Sequence, residues 1–571
     1  MITSHRLAEV VVATALAYGV AAWLVRPDLG FWSPDSSIRY VQLVSLLRRE
    51  FKTVEAVYPA VTLDPEARFY PISSGFAVVR DGRVYLVYSP YFPALAAPLY
   101  RLLGPFGLVT LPLVSGVLVV WLICCWLRQR GADVGMLGGL AAGLGTPLAV
   151  YSVVFWDHAP VVALTAGSLV LLSADLEARR PLAFLAGALT GAATWFRNEA
   201  YVFAVALAIS LAVAGGWRRL PILLAGVVCG AAPAWLLNWH LYGHLLGLKG
   251  VAGAQALAAR LGGPPGWLWS RLLAAYDLLI SIENFQNADS PKKLPQSLGV
   301  AGVLVGSAVL LRLGTANRVP ASVYAAGLAV ATVTAWLVTS GSEVMGLVPA
   351  VPVLVLLGLS RPRDGAERLV GLATALYVLG VLATGSEGGL QWGPRYLLPA
   401  VPPLVWLAFS GLARVYKEST KGMRRALAVC ALLSAAASLA VQAGGIWRLR
   451  SQVLAGARVE AILRSVDSPI LVTGMEPLFR FLGYLYFDRV LMSVQGPEEL
   501  QDLARALARQ RVPRWTYIPF SGRAFDARSI ERWTEGEGWR FEVVEDRTPL
   551  AWVVENGRPI SLRLITYQGG P

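Results

Sequence analysis

FGLVTLPLVSGVLVVWLICCWL, residues 106–127, has no charged side chain, and Arg128 and Arg130 follow it directly. A helix of about 20 apolar residues is long enough to cross the hydrocarbon core of a bilayer. Arginine and lysine accumulate in the cytoplasmic loops of membrane proteins. This stretch is therefore predicted to span the membrane as a helix that ends on the cytoplasmic side.

The composition of the whole chain agrees with a membrane protein. Of its 571 residues, 56% are hydrophobic and only 15% are charged, too few to cover the surface of a soluble protein of this length. The net charge of +14 is explained by cytoplasmic loops, so no nucleic-acid partner is expected. The four cysteines lie inside apolar runs, which predicts neither a disulfide framework nor a zinc site.

Thirteen apolar runs predict a polytopic all-α membrane protein. With an uncleaved N-terminus in the cytoplasm, alternation gives every inside connection at least two basic residues. The short outside connections, such as FWDHAP and FRNEA, contain acids and aromatics and few bases. The predicted spans lie near 7–25, 106–127, 135–154, 159–175, 182–196, 199–214, 220–239, 298–312, 320–340, 344–360, 366–384, 395–413 and 423–443.

Three long segments are predicted on the outer side: a loop at 26–105, a second loop at 240–297, and everything after residue 444. In the first loop, SIRYVQLVSLLRREF and PYFPALAAPLYRLLG predict helices that lie in the membrane interface, because they are too short or too amphipathic to span. The alternating, aromatic-rich DGRVYLVYSPYF predicts a strand or hairpin between them.

Residues 446–571 are predicted to form a small extracytoplasmic α/β domain beside a transmembrane domain at 1–445. SPILVTG, DRVLMSV and RWTYIPF predict strands, whereas EPLFRFLGYLYF and GPEELQDLARALARQR predict helices. Strands that alternate with helices are typical of a parallel sheet. The sequence has no glycine-rich phosphate loop and no recognisable transporter repeat.

Asp35 is the first candidate site residue. It lies about ten residues past the first span, at the start of an amphipathic helix. Its carboxylate could cap that helix by accepting hydrogen bonds from free backbone amides. It could also serve as an acid or base at the membrane surface, and both interpretations stay open at this point.

Two outer turns contain further ionisable residues. Asp157 and His158 lie in VVFWDHAPVV, where Asp157 could be a solvated helix cap or could point with His158 into a cavity at membrane depth. Arg197 and Glu199 lie in TWFRNEAYVF, where a weak local ion pair is the simpler interpretation.

Arg395 begins a predicted span in LQWGPRYLLPAVPPL, on the side where short loops contain few arginines. A guanidinium at a helix N-terminus suits an anion, above all a phosphate. The alternative is an arginine that snorkels to the interface beside Trp392. Tyr396 is a further candidate, and Glu283 in the second loop is another, although simple exposure is favoured for Glu283.

These residues together fit one type of chemistry. A lipid-phosphate sugar could enter from the bilayer, with its phosphate at Arg395 and with Arg197 as a second phosphate contact. An acceptor hydroxyl would lose its proton to a carboxylate as it attacks the anomeric carbon. Positioned cations would stabilise the leaving phosphate.

The chain resembles the GT-C superfamily of polyprenyl-phosphate-sugar-dependent glycosyltransferases, which includes protein O-mannosyltransferases and the lipid A aminoarabinose transferase. The resemblance covers residues 1 to about 445 and depends on Asp35 before an interface helix and on DGRVYLVYSPYFPALAAPLYRLLG, FWDHAP, WFRNEAY and WGPRYLLPAVP. It implies that Asp35 is the catalytic base, Asp157 a second acidic residue and Arg395 a phosphate contact.

Two departures argue against particular subfamilies. Protein O-mannosyltransferases have an Asp-Glu pair where this chain has Asp35 and Ser36, and the tail lacks the Trp-Trp-Asp motif of oligosaccharyltransferases. No cofactor is certain. A divalent metal at Asp35, Asp157 and His158 stays open beside a metal-free mechanism.

The predicted function is an inverting glycosyltransferase of the cytoplasmic (inner) membrane, with its active site on the outer face. Its partners would be a polyprenyl-phosphate-linked sugar donor, membrane lipids, and an acceptor that is a glycan, a lipid or a protein. A lipid-linked oligosaccharide polymerase or ligase and a polytopic lipid or glycan transporter are the alternatives. A transporter should show mid-span charges and matched repeats, which are sparse here.

Overall fold

The structure is a computed structural model. It describes residues 4–72, 75–129, 135–174, 180–248, 250, 264–283, 293–384, 391–475, 478–519, 525–548 and 562–571. Most of these residues are helical. The helices are α1 Ser4–Val25, α2 Pro34–Arg48, α3 Tyr91–Leu103, α4 Pro105–Gln129, α5 Gly135–Leu144, α6 Leu148–Tyr151, α7 His158–Ala174, α8 Arg180–Ala193, α9 Glu199–Leu211, α10 Leu220–Tyr242, α11 Pro264–Leu279, α12 Leu294–Ala316, α13 Pro320–Thr339, α14 Leu347–Ala350, α15 Gly365–Thr384, α16 Val401–Glu418, α17 Lys421–Arg464, α18 Pro497–Arg509 and α19 Ser529–Thr534.

The polytopic character is confirmed. Within the described ranges, eight helices are long and apolar enough to cross a membrane. The total of thirteen membrane spans stays a prediction. The eight are Arg6–Val25, Pro105–Gln129, Glu199–Tyr242, Leu294–Ala316, Pro320–Thr339, Gly365–Thr384, Arg395–Glu418 and Lys421–Arg464.

Proline interrupts three of the predicted spans. The run at 135–154 breaks into α5 and α6 around Pro147, and the run at 344–360 changes at Pro352 from α14 into a 3₁₀ helix. The run at 395–413 begins as the 3₁₀ helix Arg395–Ala400, which contains Pro399, before α16. Proline has no N–H to donate, and it disfavours helical angles in the residue before it.

Contacts between Cα atoms divide the chain into two compact units. The helical unit comprises Met1–Leu24 and Val109–Trp447, and the mixed unit comprises Val25–Leu108 and Arg448–Pro571. The functional division at 445/446 that the sequence suggests stays a prediction.

In the helical unit, α8 and α10 approach each other closely through small residues. A Cβ atom on Gly187 or Gly191 of α8 would lie 2.1 or 2.2 Å from a backbone oxygen of α10. Gly226 and Gly230 of α10 repeat this spacing against α8. Helices in membranes associate through such small residues, because lipid removes the hydrophobic drive between helices.

The mixed unit contains a two-stranded hairpin and a five-stranded sheet of order β4-β3-β5-β7-β6. β3, β4 and β5 are mutually parallel where they pair, whereas β7 pairs antiparallel with β5 and β6. The predicted small α/β sheet is therefore present, but it is mixed and not parallel throughout. The strands are β1 Ala77–Arg80, β2 Arg83–Leu86, β3 Ile470–Thr473, β4 Val490–Ser493, β5 Arg514–Ile518, β6 Arg540–Arg547 and β7 Leu564–Gly570.

One predicted helix of the tail is wrong. In EPLFRFLGYLYF, the described residues form only the short 3₁₀ turn Phe479–Phe481. Leu482 leaves helical angles, and a Cβ on Gly483 would lie 2.8 Å from Ser37 Oγ of α2. The segment is apolar because it enters the core between elements, and not because it forms a regular helix.

The first loop and the tail share one hydrophobic core. Ile38 and Val41 of α2 belong to the same buried cluster as Leu471 of β3, Trp515 of β5 and Tyr567 of β7. Since neither segment covers this core alone, the sequence at 26–105 and the sequence after 446 depend on each other for folding.

Candidate functional site

Asp35 lies in the first turn of α2, but it does not cap that helix. Ser33 is the cap, because its Oγ accepts a hydrogen bond of 3.3 Å from the backbone N–H of Ser36, and Pro34 follows as the first helical residue. The interpretation of Asp35 as an N-cap is therefore wrong. Its carboxylate still lies in the positive field of the helix N-terminus.

We call Asp35, Arg39, Gln42 and Tyr88 the Asp35 cluster. The Tyr88 hydroxyl donates to Asp35 Oδ1 over 2.5 Å. The Arg39 guanidinium lies 4.1 Å from the centroid of the Tyr88 ring, and its Nη1 donates to the backbone oxygen of Asp35 over 3.2 Å. Gln42 Nε2 donates to the backbone oxygen of Tyr88 over 2.9 Å.

A second group surrounds Arg197 in the helical unit, and we call Asp157, His158, Arg197 and Glu199 the Arg197 cluster. Arg197 Nη1 donates to Asp157 Oδ1 over 3.0 Å, and Nε and Nη2 donate to the two oxygens of Glu199 over 3.2 and 2.8 Å. Only 5% of the Arg197 side chain is exposed. A weak surface ion pair is therefore the wrong description, since this guanidinium is buried between two carboxylates.

The electrostatics of this cluster follow from that arrangement. Burial alone lowers the pKa of the Arg197 guanidinium, but Glu199 and Asp157 outweigh burial and hold the pKa well above its usual value. Arg197 Nη1 also lies 3.2 Å from His158 Nε2. Because a guanidinium only donates, Nε2 is the acceptor in this contact.

The position of Arg197 is set by the end of α8. Trp195, two residues earlier, donates its Nε1–H to the backbone oxygen of Gly230 in α10 over 2.7 Å. The close glycine contacts of α8 and α10 thus fix the turn from which Arg197 extends. Asp157 and His158 come directly before and at the first residue of α7.

Arg395 lies beside the same aromatic residues. Its guanidinium is 5.3 Å from the ring centroid of Trp156 and 4.9 Å from that of Tyr396, whose hydroxyl receives a hydrogen bond of 3.0 Å from Nη2. Arg197 lies 5.5 Å from the Tyr396 ring as well. Six of the residues predicted from the sequence, those of the Arg197 cluster with Arg395 and Tyr396, therefore form one group.

A constrained turn positions Arg395. Gly393 has a φ of 65°, its N–H donates to the backbone oxygen of Val344, and a Cβ there would lie 2.4 Å from Pro147. After Arg395, Tyr377 donates to the backbone oxygen of Tyr396 over 2.6 Å. The backbone on both sides of the arginine is thus held by contacts with other segments.

Glu283 is not simply exposed. Its Oε1 accepts a hydrogen bond of 2.8 Å from the Tyr276 hydroxyl, and Oε2 accepts one of 3.3 Å from the backbone N–H of Lys293. Burial raises the pKa of Tyr276 to about 12. Glu283 therefore joins the end of α11 to the start of α12, which is a structural role.

The possible metal site has no support in the donor arrangement. Within the ranges that the structure describes, no group of three or more His, Cys, Asp or Glu side chains is placed to hold a metal ion. Asp157 and His158, two of the three residues named for that site, both contact the Arg197 guanidinium.

Sequence analysis missed five residues that shape these groups, one of which is Gln42 of the Asp35 cluster. Arg39 and Tyr88 surround Asp35, while the rings of Tyr151 and Trp156 lie 4.8 and 5.0 Å from the His158 ring, both at steep angles. Tyr88 and Trp156 stand inside the stretches already singled out. Arg39, four residues after Asp35, is buried, although its place in an amphipathic pattern predicts an exposed side chain.

Comparison with known proteins finds solved structures that have a similar fold. No protein-family model matches the chain, and no curated protein matches it either. The crystal structure of ArnT from Cupriavidus metallidurans bound to undecaprenyl phosphate is similar, with a TM-score of 0.51, 14% sequence identity, and coverage of 98% of both chains. The fold resembles that of ArnT.

The ArnT structure in the apo state, from the same organism, has a TM-score of 0.49 and 13% identity over 97% of both chains. The likeness to the ArnT structure bound to undecaprenyl phosphate confirms the predicted fold. It extends over the tail as well as over residues 1–445, from which the resemblance was drawn. The chain is a multi-pass membrane protein with this fold.

Proposed function

We propose that this protein is an inverting glycosyltransferase that moves a sugar from a polyprenyl-phosphate donor to an acceptor hydroxyl. The observation that carries the proposal is the likeness of fold, along 98% of both chains, to an ArnT crystal structure bound to undecaprenyl phosphate. The Asp35 and Arg197 clusters supply the chemical groups that such a reaction needs.

Asp35 is the proposed general base. The acceptor hydroxyl transfers its proton to the carboxylate while its oxygen attacks the anomeric carbon. The bond from that carbon to the phosphate oxygen breaks, and its electron pair stays on the phosphate. One proton moves to Asp35 and one negative charge appears on the leaving group, so atoms and charges balance.

Arg395 is the proposed contact for the donor phosphate. Arg395 is partly buried as a residue, and its guanidinium lies beside two aromatic rings. A pre-positioned guanidinium can donate two parallel hydrogen bonds to a phosphate and stabilise the charge that develops as the sugar leaves.

Arg197 has a different part in this proposal. Four hydrogen bonds already join its guanidinium to Asp157, His158 and Glu199. We therefore assign it to holding these residues in place, and the earlier prediction that Arg197 also binds phosphate is the less favoured one. Asp157 remains a candidate second acid of the site.

The proposed location is the outer face of the cytoplasmic membrane, with the N-terminus in the cytoplasm. This orientation rests on the basic residues of the inside connections. The acceptor belongs to a broad class, a hydroxyl on a glycan, a lipid or a protein. The mixed unit, which contains Asp35, would be extracytoplasmic.

The test is the variant Asp35→Asn, assayed with a polyprenyl-monophosphate sugar and in parallel with a diphosphate-linked donor. Loss of a positioned general base lowers turnover by roughly 10²–10⁴-fold. Donor binding should be unchanged, because the amide replaces the carboxylate at nearly the same size. Near-normal turnover would remove the proposed mechanism, and transfer only from the diphosphate would favour a polymerase or ligase.

Asp64 provides a matched control in the same unit. It is buried, and its carboxylate accepts hydrogen bonds from the Tyr58 hydroxyl and from the backbone N–H groups of Arg68 and Phe69, over 2.8 to 3.0 Å. Asp64→Asn should lower thermal stability but leave turnover per folded molecule within about two-fold of the parent. An equal loss of turnover in both variants would show that Asp35 matters only for folding.

A further inference from the structure

Tyr88 is held by three residues of one helix face. Asp35, Arg39 and Gln42 are spaced i, i+4 and i+7 along α2, so their side chains lie in one row. Asp35 contacts the hydroxyl of Tyr88, Arg39 the ring face, and Gln42 the backbone oxygen. The hydroxyl, the ring face and the backbone oxygen of Tyr88 are thus all contacted by the helix that contains the proposed base.

The burial of these partners makes the arrangement rigid. Arg39 is 1% exposed and Gln42 is 2% exposed, so both are fixed in the interior of the mixed unit. A guanidinium over an aromatic face is attracted by the ring's electrons. With the ring face fixed by Arg39, the phenol can direct its O–H to only a narrow range of positions, and Asp35 Oδ1 lies in that range.

The hairpin before Tyr88 fixes its backbone. β1 and β2 pair through the turn at Asp81 and Gly82, both of which have positive φ, the geometry of a two-residue hairpin turn. Beyond the paired residues, the N–H of Val87 donates to the backbone oxygen of Phe76 over 2.9 Å. Tyr88 follows directly, so the end of the hairpin places it against α2.

We propose that Tyr88 is a positioning residue for Asp35, held in place by Arg39 and Gln42. This inference rests on the proposed function. The phenol donates to Oδ1, and in this proposal the proton of the acceptor hydroxyl moves to Oδ2 as the acceptor oxygen bonds to the anomeric carbon. The electron pair of the breaking carbon–oxygen bond goes to the phosphate, and Tyr88 keeps its own proton throughout.

The arrangement defines which lone pair of the base faces the substrate. A carboxylate that rotates freely spends little time with one oxygen aligned for proton transfer, and misalignment lowers the rate of the chemical step. A donor that Arg39 and Gln42 hold in place restricts that freedom. The expected consequence is an effect on turnover and not on donor affinity, since the proposed role of Tyr88 is to orient Asp35.

The decisive variant is Tyr88→Phe, which removes one oxygen and keeps the ring under Arg39. We expect kcat to fall about 10- to 100-fold, the range for loss of a hydrogen bond to a charged group, with KM for the lipid donor within about two-fold. The melting temperature should stay close to that of the parent. Unchanged kcat, or a loss of kcat that follows the loss of folded protein, would overturn the proposal.

Tyr40→Phe is the matched control. Tyr40 is also on α2, and its hydroxyl lies 3.1 Å from that of Tyr100, so this variant deletes a comparable hydroxyl without touching Asp35. It should leave kcat and KM unchanged. A fall in kcat equal to that of Tyr88→Phe would mean that any lost hydroxyl on this helix disturbs the site, and would overturn the specific role of Tyr88.

A second measurement covers the case in which Tyr88→Phe does not fold. Incorporation of 3-fluorotyrosine at position 88 keeps the ring, the hydroxyl and the packing but makes the phenol a stronger donor. A stronger donor to the carboxylate makes it a weaker base, so kcat should fall at a pH where the phenol is protonated. An unchanged kcat would indicate a purely structural hydroxyl.

These outcomes separate the two proposals. If Asp35→Asn retains turnover, the proposed function fails whatever Tyr88 does. If Asp35→Asn is inactive while both changes at Tyr88 leave kcat unchanged, the base stands and only the positioning role of Tyr88 is lost.

Discussion

The Asp35 cluster and the Arg197 cluster both contain an aspartate near the start of a helix and an arginine, and they differ in what the guanidinium contacts. In the Arg197 cluster the guanidinium donates directly to the carboxylates of Asp157 and Glu199. In the Asp35 cluster the guanidinium of Arg39 lies on the ring of a tyrosine whose hydroxyl contacts the carboxylate.

We expect this difference to separate a structural group from a reactive one. A carboxylate bound directly to a buried guanidinium is held in its charged form, and protonating it would leave a buried cation with less compensation. The phenol of Tyr88 is a neutral donor, so its bond to Asp35 adds no such loss when the carboxylate takes up a proton. The comparison predicts that the Arg197 cluster acts mainly on stability and the Asp35 cluster mainly on turnover.

The largest effect on stability is expected from Arg197→Met. The change leaves Asp157 and Glu199 close together without the cation that both contact, in a place where only 5% of the arginine side chain was exposed. Removing one partner of a buried pair destabilises by about 3–5 kcal/mol. Thermal unfolding in detergent should show a much lower melting temperature, or too little folded protein to measure.

Two further variants test this explanation. Adding Asp157→Asn to Arg197→Met removes one of the two stranded charges and should recover part of the lost stability, whereas Arg197→Lys should lose less than Arg197→Met because it retains a cation. If Arg197→Met is as stable as the parent while turnover collapses, the two clusters have been assigned the wrong way round.

The next effect concerns donor binding at Arg395. Arg395→Ala should raise the apparent KM for the polyprenyl-phosphate donor by about 10- to 100-fold, since hydrogen bonds to a charged group contribute about 1.5–3 kcal/mol. The KM of Arg395→Lys should lie between that of the parent and that of Arg395→Ala. Lysine keeps the charge but loses the paired donors and the contacts with the rings of Trp156 and Tyr396. An unchanged KM in Arg395→Ala would make Arg395 an aromatic-belt anchor.

Much of the fold could be predicted because apolar length and basic loops are strong signals for membrane helices. The predicted spans at 106–127 and 320–340 closely match Pro105–Gln129 and Pro320–Thr339. The breaks at Pro147 and Pro352 were missed, because hydropathy is insensitive to a lost backbone hydrogen bond. The shared core of the first loop and the tail was missed because it joins residues some 400 positions apart in sequence.

The candidate site shows the same limit at the scale of single residues. Asp157 and Arg395 could be selected because ionisable residues in the short predicted outer turns are few, and Asp35 because it lies between the first span and an amphipathic helix. Their partners could not be, since Arg39 follows an ordinary amphipathic pattern and Tyr88 is one of several tyrosines in its segment. Which oxygen bonds to which donor depends on packing between elements, and sequence spacing does not encode it.

The smallest effect is expected where an ion pair resembles that of Arg197 in length but not in burial. Arg68 Nη2 lies 2.6 Å from Asp502 Oδ2 in the mixed unit, with 53% and 47% of the two side chains exposed. Because water and salt screen such a pair, Asp502→Asn should change the free energy of unfolding by less than about 1 kcal/mol. Thermal unfolding at low and high salt measures this, and the small difference between variant and parent should shrink further as salt rises. A loss comparable to that of Arg197→Met would mean that burial does not set the strength of these pairs, and the contrast between the two clusters would then need another cause.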